Sequence, residues 1–428
     1  MNDRLNYAFI DYLYILVSLF LFTGILLLLL FITTFTINFV SASLPVSGCI
    51  NYDSSQRTVI ISCASANLSD VYNQLHDNNI IHKESSNDNI WLLNAGLTIQ
   101  KGSVFYINST DTNWLKILTT PNDGINTNQI DVLGSLKVDS VKITSWDPIT
   151  NDYGKTNGTR QTVQNKLVTD EGAARPTIKV EGGATGTTDI TNSEIAYLGY
   201  EGGTIAGASG LSYYGGDNST LKNNKIHNLY FGFYSKGVGG MDIENNQIYD
   251  NDIYGLDPHT GTHDMSIRNN FVYNNGGFGI ICSVDCYNIT IEKNRVHDNN
   301  HGIMLSRNMT NSIVQDNIIR NENKTGIFVS DSYNNQIIKN TISNSATAIL
   351  LNVKASNNII SKNTITNSKE GITLSDDVGT GNLIKNNKII LNKPDQQIDI
   401  SFQGNSNTHN NIVTQNKKIV KHNFLAIG

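Results

Sequence analysis

Tyr254-Gly255-Leu256-Asp257-Pro258-His259 crowds a phenol, a carboxylate and an imidazole into one hexapeptide. Imidazole is neutral enough near pH 7 to accept a proton. A tyrosine hydroxyl is a weak acid that can return one to a carbanion far more basic than itself. A base and a proton donor this close suit chemistry in which a C–H proton is removed and replaced. Any one of the three, taken alone, is ordinarily a solvated surface side chain.

The elements that position them are read by sliding the sequence against itself. A small residue followed by an apolar run recurs at Gly232-Phe233, Gly255-Leu256, Gly279-Ile280, Gly302-Ile303, Gly326-Ile327, Ala348-Ile349 and Gly371-Ile372, at spacings of 23, 24, 23, 24, 22 and 23 residues. An Asn-rich strand precedes each, as in ENNQIYDN and RNNFVYNN. A fixed period of this size means stacked supersecondary units. The units hold short alternating strands and no amphipathic helix, so the expected fold is all-β, a parallel β-helix of coils about 23 residues long. Recurring Asn suits the bends, because it tolerates left-handed backbone, and stacked Asn can pair amide to amide between coils.

Stacking converts spacing into geometry, since neighbouring coils lie roughly 4.8 Å apart. Counting from the small residue, offsets one and three are mostly apolar and are assigned to the interior, as in Ile280/Cys282 and Ile303/Leu305. Offsets two and four then face outward: Tyr234/Lys236, Asp257/His259, Ile281/Ser283, Met304/Ser306 and Phe328/Ser330. The residue before the small one forms another column, Phe231, Tyr254, Phe278, His301. Lys236 is then the neighbour of His259 from the coil below, and His301 and Arg307 approach from two coils above.

A net charge of -6 with 16% charged residues excludes the basic stripe expected of a nucleic-acid partner. Residues 12 to 52 carry no charge, and Tyr12 to Val40 is mostly apolar. Residues 1–45 therefore read as a signal peptide cut near Ser41-Ala42-Ser43 or as a membrane anchor. The length of the run favours the anchor, and either places the rest of the chain outside the membrane, at a cell surface or in a periplasm-like space. Residues 46–100 read as a cap, with a helix in Asn67–Lys83 begun by Ser69 as N-cap. The solenoid is expected over 101–405, with a polar insertion at Asp147–Arg175, a glycine-rich loop at Gly202–Gly216 and a loosely attached tail in 406–428. Cys49 and Cys63 flank a hairpin that a disulfide could close. Cys282 and Cys286 are either a second bridge across a turn or buried thiols. No compact acidic loop of the Ca2+-binding kind occurs, so calcium stays possible as a cofactor and no metal ligand is assigned.

The stretch Tyr254 to Arg307 resembles the catalytic part of the mannuronan C5-epimerases, which convert mannuronate to guluronate within alginate. The family's YG-x-DPH motif stands here as YGLDPH, and His263 matches a second histidine that follows it in the periplasmic, non-modular branch. VDSVKITSWD at 138–147, IAYLGYEG at 195–202 and YFGFYS at 230–235 resemble further segments of that branch, in the same order. The resemblance implies a right-handed β-helix, expected as a monomer, that acts on an anionic polysaccharide. It implies His259 as base, Tyr254 as proton donor on the opposite face, and Asp257 as support for the site or for imidazole orientation. Lys236, Arg307, His263, His301 and Tyr234 are the expected substrate contacts. One position departs from the pattern. An Arg follows the serine of the next coil in the periplasmic enzymes, and here that residue is Val284, so carboxylate neutralisation passes to Lys236 or Arg307. A polysaccharide lyase, which shares the proton abstraction and then expels the C4 substituent, and a non-catalytic carbohydrate-binding solenoid are the alternatives. Solvent deuterium at C5 without chain cleavage separates the first reading from both.

Overall fold

The computed structural model describes residues 48–85, 88–120, 128–155, 160–163, 166–169, 174–200, 209–391, 399–404 and 410–420. The chain divides into two units, Met1–Val46 and Ser47–Gly428, and the described residues all belong to the second. The expected anchor or signal segment lies outside them. Among the described residues no helix is long and apolar enough to cross a membrane.

Three sheets of 14, 13 and 14 strands run through the described residues, each strand bonded to its counterpart in the next coil. Pairing is parallel except between Ile50–Asp53 and Thr58–Ile61, between Ile81–Ser85 and Ile90–Leu93, and in a two-stranded hairpin, Arg160–Val163 with Lys166–Thr169. This is the parallel β-helix that the period implies. Its core is built from columns of identical chemistry. In the third sheet Ile226, Ile248, Val272, Val296, Ile319 and Ile342 pair in register and are fully buried. β-Branched side chains are stiff and pack well on a pleated surface, and each contributes about 1.5–3 kcal/mol of burial.

The bends use asparagine in both of the ways its chemistry allows. Asn245 and Asn269 adopt left-handed backbone, at φ 58° and 56°. The next residue in each case, Asn246 or Asn270, turns inward and joins a buried ladder. Asn270 Nδ2 donates to Asn294 Oδ1 at 3.0 Å and to Ile243 O at 2.9 Å, and Asn270 N–H donates to Asn294 Oδ1 at 2.9 Å. The pattern recurs coil after coil through Asn317, Asn340 and Asn363. The buried amides are thereby satisfied, and every coil is held in register with its neighbour.

The ends of the solenoid differ from expectation. Strands of all three sheets precede residue 100, so the ladder begins inside the region read as a cap. A helix, Leu68–Leu75, sits within that first coil, and its N-cap is Asn67 rather than Ser69. Asn67 Oδ1 accepts from Asp70 N–H while the Asp70 carboxylate accepts from Asn67 N–H, a reciprocal pair that Ser69, two residues on and already inside the helix, does not make. Within the stretch read as a glycine-rich loop, Gly210–Tyr213 is a strand of the first sheet. Lys417–Val420, read as loose tail, pairs with Lys388–Leu391. Cys49 and Cys63 form the expected disulfide beside their hairpin. Cys282 and Cys286 are free and buried.

Candidate functional site

The hexapeptide lies on the first sheet. Leu256–His259 is a strand, with Phe231–Lys236 on one side of it and Phe278–Ser283 on the other. The small residues of the repeat have a steric cause. A Cβ on Gly255 would stand 2.5 Å from Gly279 O, and one on Gly232 would stand 2.4 Å from Gly255 O. Close approach of these backbones keeps the strands that follow in phase. Lys236 pairs with His259 and Tyr234 with Asp257, the register that counting from the small residue implies.

Leu256 and Pro258 face the interior. Tyr254 and His259 are partly exposed, whereas Asp257, between them in the chain, is buried. Tyr254 belongs to an aromatic row that crosses the coils. Its ring centroid is 5.3 Å from Phe231 and 5.6 Å from Phe278, and Phe278 in turn stacks on His301 at 4.5 Å. Tyr254 leans on Gly277, where a Cβ would meet its Cε1 at 2.7 Å. Burial and the charge of Asp257 push the Tyr254 hydroxyl above its ordinary 10, with Arg307 opposing.

His259 is half-buried. Its Nδ1 is 2.6 Å from Thr260 Oγ1, and its Nε2 is 3.4 Å from Arg307 Nη2. A guanidinium can only donate, so Nε2 carries the lone pair and Nδ1–H donates to Thr260. That is the tautomer a base acting through Nε2 requires. Burial, then Arg307 and Lys236, hold the imidazole below its ordinary 6.5. Arg307 reaches His259 from two coils away by way of Ser283, whose Oγ accepts from Nε at 2.9 Å and from Nη2 at 2.6 Å. Ser283 pairs with His259 and Ser306 with Ser283, and Arg307 follows Ser306 in left-handed backbone, at φ 51°. Val284, where the resemblance leads one to expect an arginine, has φ 65° and lies one coil below Arg307. Among the described residues neither Lys236 nor Arg307 has a carboxylate within ion-pair distance. Among the described residues, two cations thus face His259 with no carboxylate ion-paired to either.

Asp257 corrects the outward assignment. Its side chain is only 3% exposed, and its Oδ1 is buried without a hydrogen-bond partner among the described residues. Burial pushes its carboxyl well above the usual carboxylate range, with Arg307 opposing. It does not orient the imidazole, because Thr260 holds Nδ1. Tyr234, also expected to face outward, is buried, and its ring is 5.6 Å from His259. Burial and Asp257 push its hydroxyl up to about 12.

The remaining candidates stand apart from His259. His301 lies further along the aromatic row, with Phe278 between it and Tyr254 and Phe328 beyond it at 6.3 Å. Burial and Lys324 lower its imidazole to about 4. His263 sits on the next bend, stacked on Tyr287 at 4.8 Å with Nδ1 3.0 Å from Gly261 O. Sequence reasoning passed over Thr260 and Ser283. Thr260 is adjacent to the base and carries no spacing signal. Ser283 was placed in the correct outward column, and only coordinates show what it holds.

Residues 176–332 match the family model described as a right handed beta helix region, and residues 263–428 match the one described as periplasmic copper-binding protein (NosD). Among the described residues no group of three His, Cys, Asp or Glu side chains could hold a metal ion. No curated protein matches the chain. Among solved structures, the periplasmic alginate epimerase AlgG is similar over 85% of this chain and 85% of that one, at 20% identity and a TM-score of 0.59. The A-module of the Azotobacter vinelandii mannuronan C-5 epimerase AlgE6 is similar over 78% of this chain and 89% of that one, at 18% identity and a TM-score of 0.55. The shared property is the right-handed parallel β-helix.

Proposed function

We propose that the chain is an exported polyuronate C5-epimerase that converts mannuronate to guluronate residues within a polymer. The observation that carries this reading is the pair of cations without an anion, Lys236 and Arg307, converging on a half-buried histidine whose Nε2 lone pair is free of its own proton. A uronate carboxylate supplies the missing anion, and its C5–H is the proton such a base removes. Binding the carboxylate between the two cations makes that proton more acidic, because the charge that develops on the carboxyl oxygens is met by fixed donors.

The reaction balances within these residues. His259 Nε2 takes the C5 proton and becomes imidazolium, held through Nδ1–H by Thr260. The electron pair moves into the carboxyl group as an enediolate. Tyr254, on the other side of Asp257, gives a proton to the opposite face of C5, and the tyrosinate recovers a proton through solvent as His259 releases its own. Asp257, pushed toward the neutral acid, serves as a donor to the developing enediolate rather than as a repelling charge. The YG-x-DPH motif and the β-helix shared with AlgG and AlgE6 agree with this assignment, which rests on the site geometry. The test is proton NMR of a mannuronate-containing polymer incubated in D2O. Deuterium should enter C5 without chain cleavage, and His259→Ala should slow entry by about 10²-fold or more. An unsaturated product absorbing in the ultraviolet would make the protein a lyase. Unchanged exchange in His259→Ala would refute the assignment.

A further inference from the structure

We infer that the substrate carries its reacting uronate as an isolated charge, between sugars that are uncharged. This rests on the epimerase reading and narrows it from polyuronates at large to heteropolysaccharides. The outer face of the first sheet runs along the solenoid axis, and neighbouring coils are spaced by roughly 4.8 Å, close to the advance of one pyranose in a 1,4-linked chain. A polymer laid along this face therefore meets about one coil per sugar. A homopolyuronate would bring a carboxylate to nearly every coil.

The coils on either side of the catalytic strand do not answer such a row of charges. Toward the C-terminus the outward columns of the strands read Met304, Phe328, Leu350 and Ser306, Ser330, Asn352, in direct register. Met304, Phe328 and Leu350 are half-buried, an apolar stripe open to a ligand. They suit the C–H face of a neutral pyranose, and the partly exposed Ser330 and Asn352 beside them suit its hydroxyl groups. The flanking bends bring Lys324 and Lys354, and they also bring Asp331 and Asp377, so no net positive charge results. Toward the N-terminus the outward column passes from Tyr234 through Ser212 to Lys179 and Asp131. Lys179 is already paired with Glu181, at 2.6 Å. That leaves Asp131 as the surplus charge, four coils from Asp257, where it repels a carboxylate. Among the described strands of this face, Lys236 is the cation free of a carboxylate, and Arg307 joins it at His259 from a neighbouring bend.

The test varies charge density while keeping the sugar and linkage constant. Polymannuronate is compared with the same polymer after about half of its carboxyl groups have been reduced to primary alcohols. Binding is measured with the His259→Ala variant, and C5 deuterium exchange with the unaltered protein. The reduced polymer should bind at least as tightly, and exchange per remaining uronate should rise by about 5-fold or more, with the shallow salt dependence of one or two ion pairs. A Met304→Lys/Leu350→Lys double variant should restore preference for the unreduced polymer. Tighter binding of the unreduced polymer, increasing as salt is lowered, overturns the inference, as does binding of neither. Exchange in neither polymer, with the reduced one bound more tightly, leaves the face's preference for sparse charge standing and removes the epimerase assignment.

Discussion

Glu322 breaks one of the buried amide ladders and makes the stability of the solenoid depend on pH. Asn251, Asn275 and Asn299 stack as a column in which each backbone N–H donates to the side-chain oxygen of the next coil. Glu322 takes the following place and accepts from Asn299 N–H at 2.9 Å. Its other oxygen, and the hydroxyl of Ser345 in the coil above, have no hydrogen-bond partner among the described residues. Burial raises the Glu322 carboxyl from 4.5 to about 8. Between those values the folded chain keeps a proton that the unfolded chain has released, so stability falls as pH rises. The interval, 8 − 4.5 = 3.5, corresponds to about 5 kcal/mol at full effect. Glu322→Gln keeps the acceptor for Asn299 and adds an N–H2 that needs no desolvated charge. The unfolding midpoints of the two proteins, followed by circular dichroism, should be close at about pH 5 and separate in favour of Gln by about pH 8.5. A separation that is the same at both pH values would refute the reasoning.

Two further outcomes follow from the site and the ladders. Because burial, Arg307 and Lys236 hold His259 below 6.5, and the base must be unprotonated, the acidic limb of kcat/KM should lie below pH 6.5. Arg307→Ala should move that limb upward and also lower the rate, and a limb above 6.5 in the unaltered protein would contradict the assignment of His259 as base. Asn294→Ala removes the acceptor of Asn270 and the donor to Ile267 O, and should cost on the order of 3 kcal/mol. Asn269→Ala, which loses ease of left-handed backbone at φ 56° and a partly exposed hydrogen bond to Glu244, should cost nearer 1 kcal/mol. Equal losses in thermal unfolding would mean that the ladder adds nothing beyond the bend.

What was legible in the sequence follows from periodicity. One small residue per coil defined a counting origin, and strand alternation then put Lys236 beside His259 and brought Arg307 from two coils above. The disulfide followed from a short hairpin between two cysteines. Features that break the period were not legible. The first coil replaces a bend with the helix Leu68–Leu75, and its strands are too diverged to align with the repeats. Alternation also assigns direction but not cover. Asp257 has the outward parity of His259 yet is buried, with Tyr234, Tyr254 and Arg307 close enough to perturb or feel its charge. Tyr234 in the neighbouring coil, Tyr254 in the same coil and Arg307 from two coils away are placed by spacing but not sized by it.

Arg307 shows how a solenoid brings a charge to a site from two coils away. In a globular fold the loss of a charge at one position is repaired by residues whose proximity depends on the whole packing arrangement. In a solenoid a long side chain on the same column is enough. Ser283 and Ser306 are in register with His259, so a guanidinium based at the next bend is carried past one hydroxyl to the imidazole. The Asn ladders make that transfer dependable, because a slip of one residue in any coil between 259 and 307 would turn Arg307 away from the site. Ladder and site are therefore coupled. Weakening Asn294, which lies between the base and the arginine in the chain, should loosen the Arg307–His259 contact before it unfolds the coil. The corresponding signature is a His259 whose titration, followed by NMR, moves up toward 6.5 in Asn294→Ala while the far-ultraviolet spectrum stays that of a folded β-helix. An imidazole that titrates unchanged in that variant would show that the arginine is held by Ser283 alone.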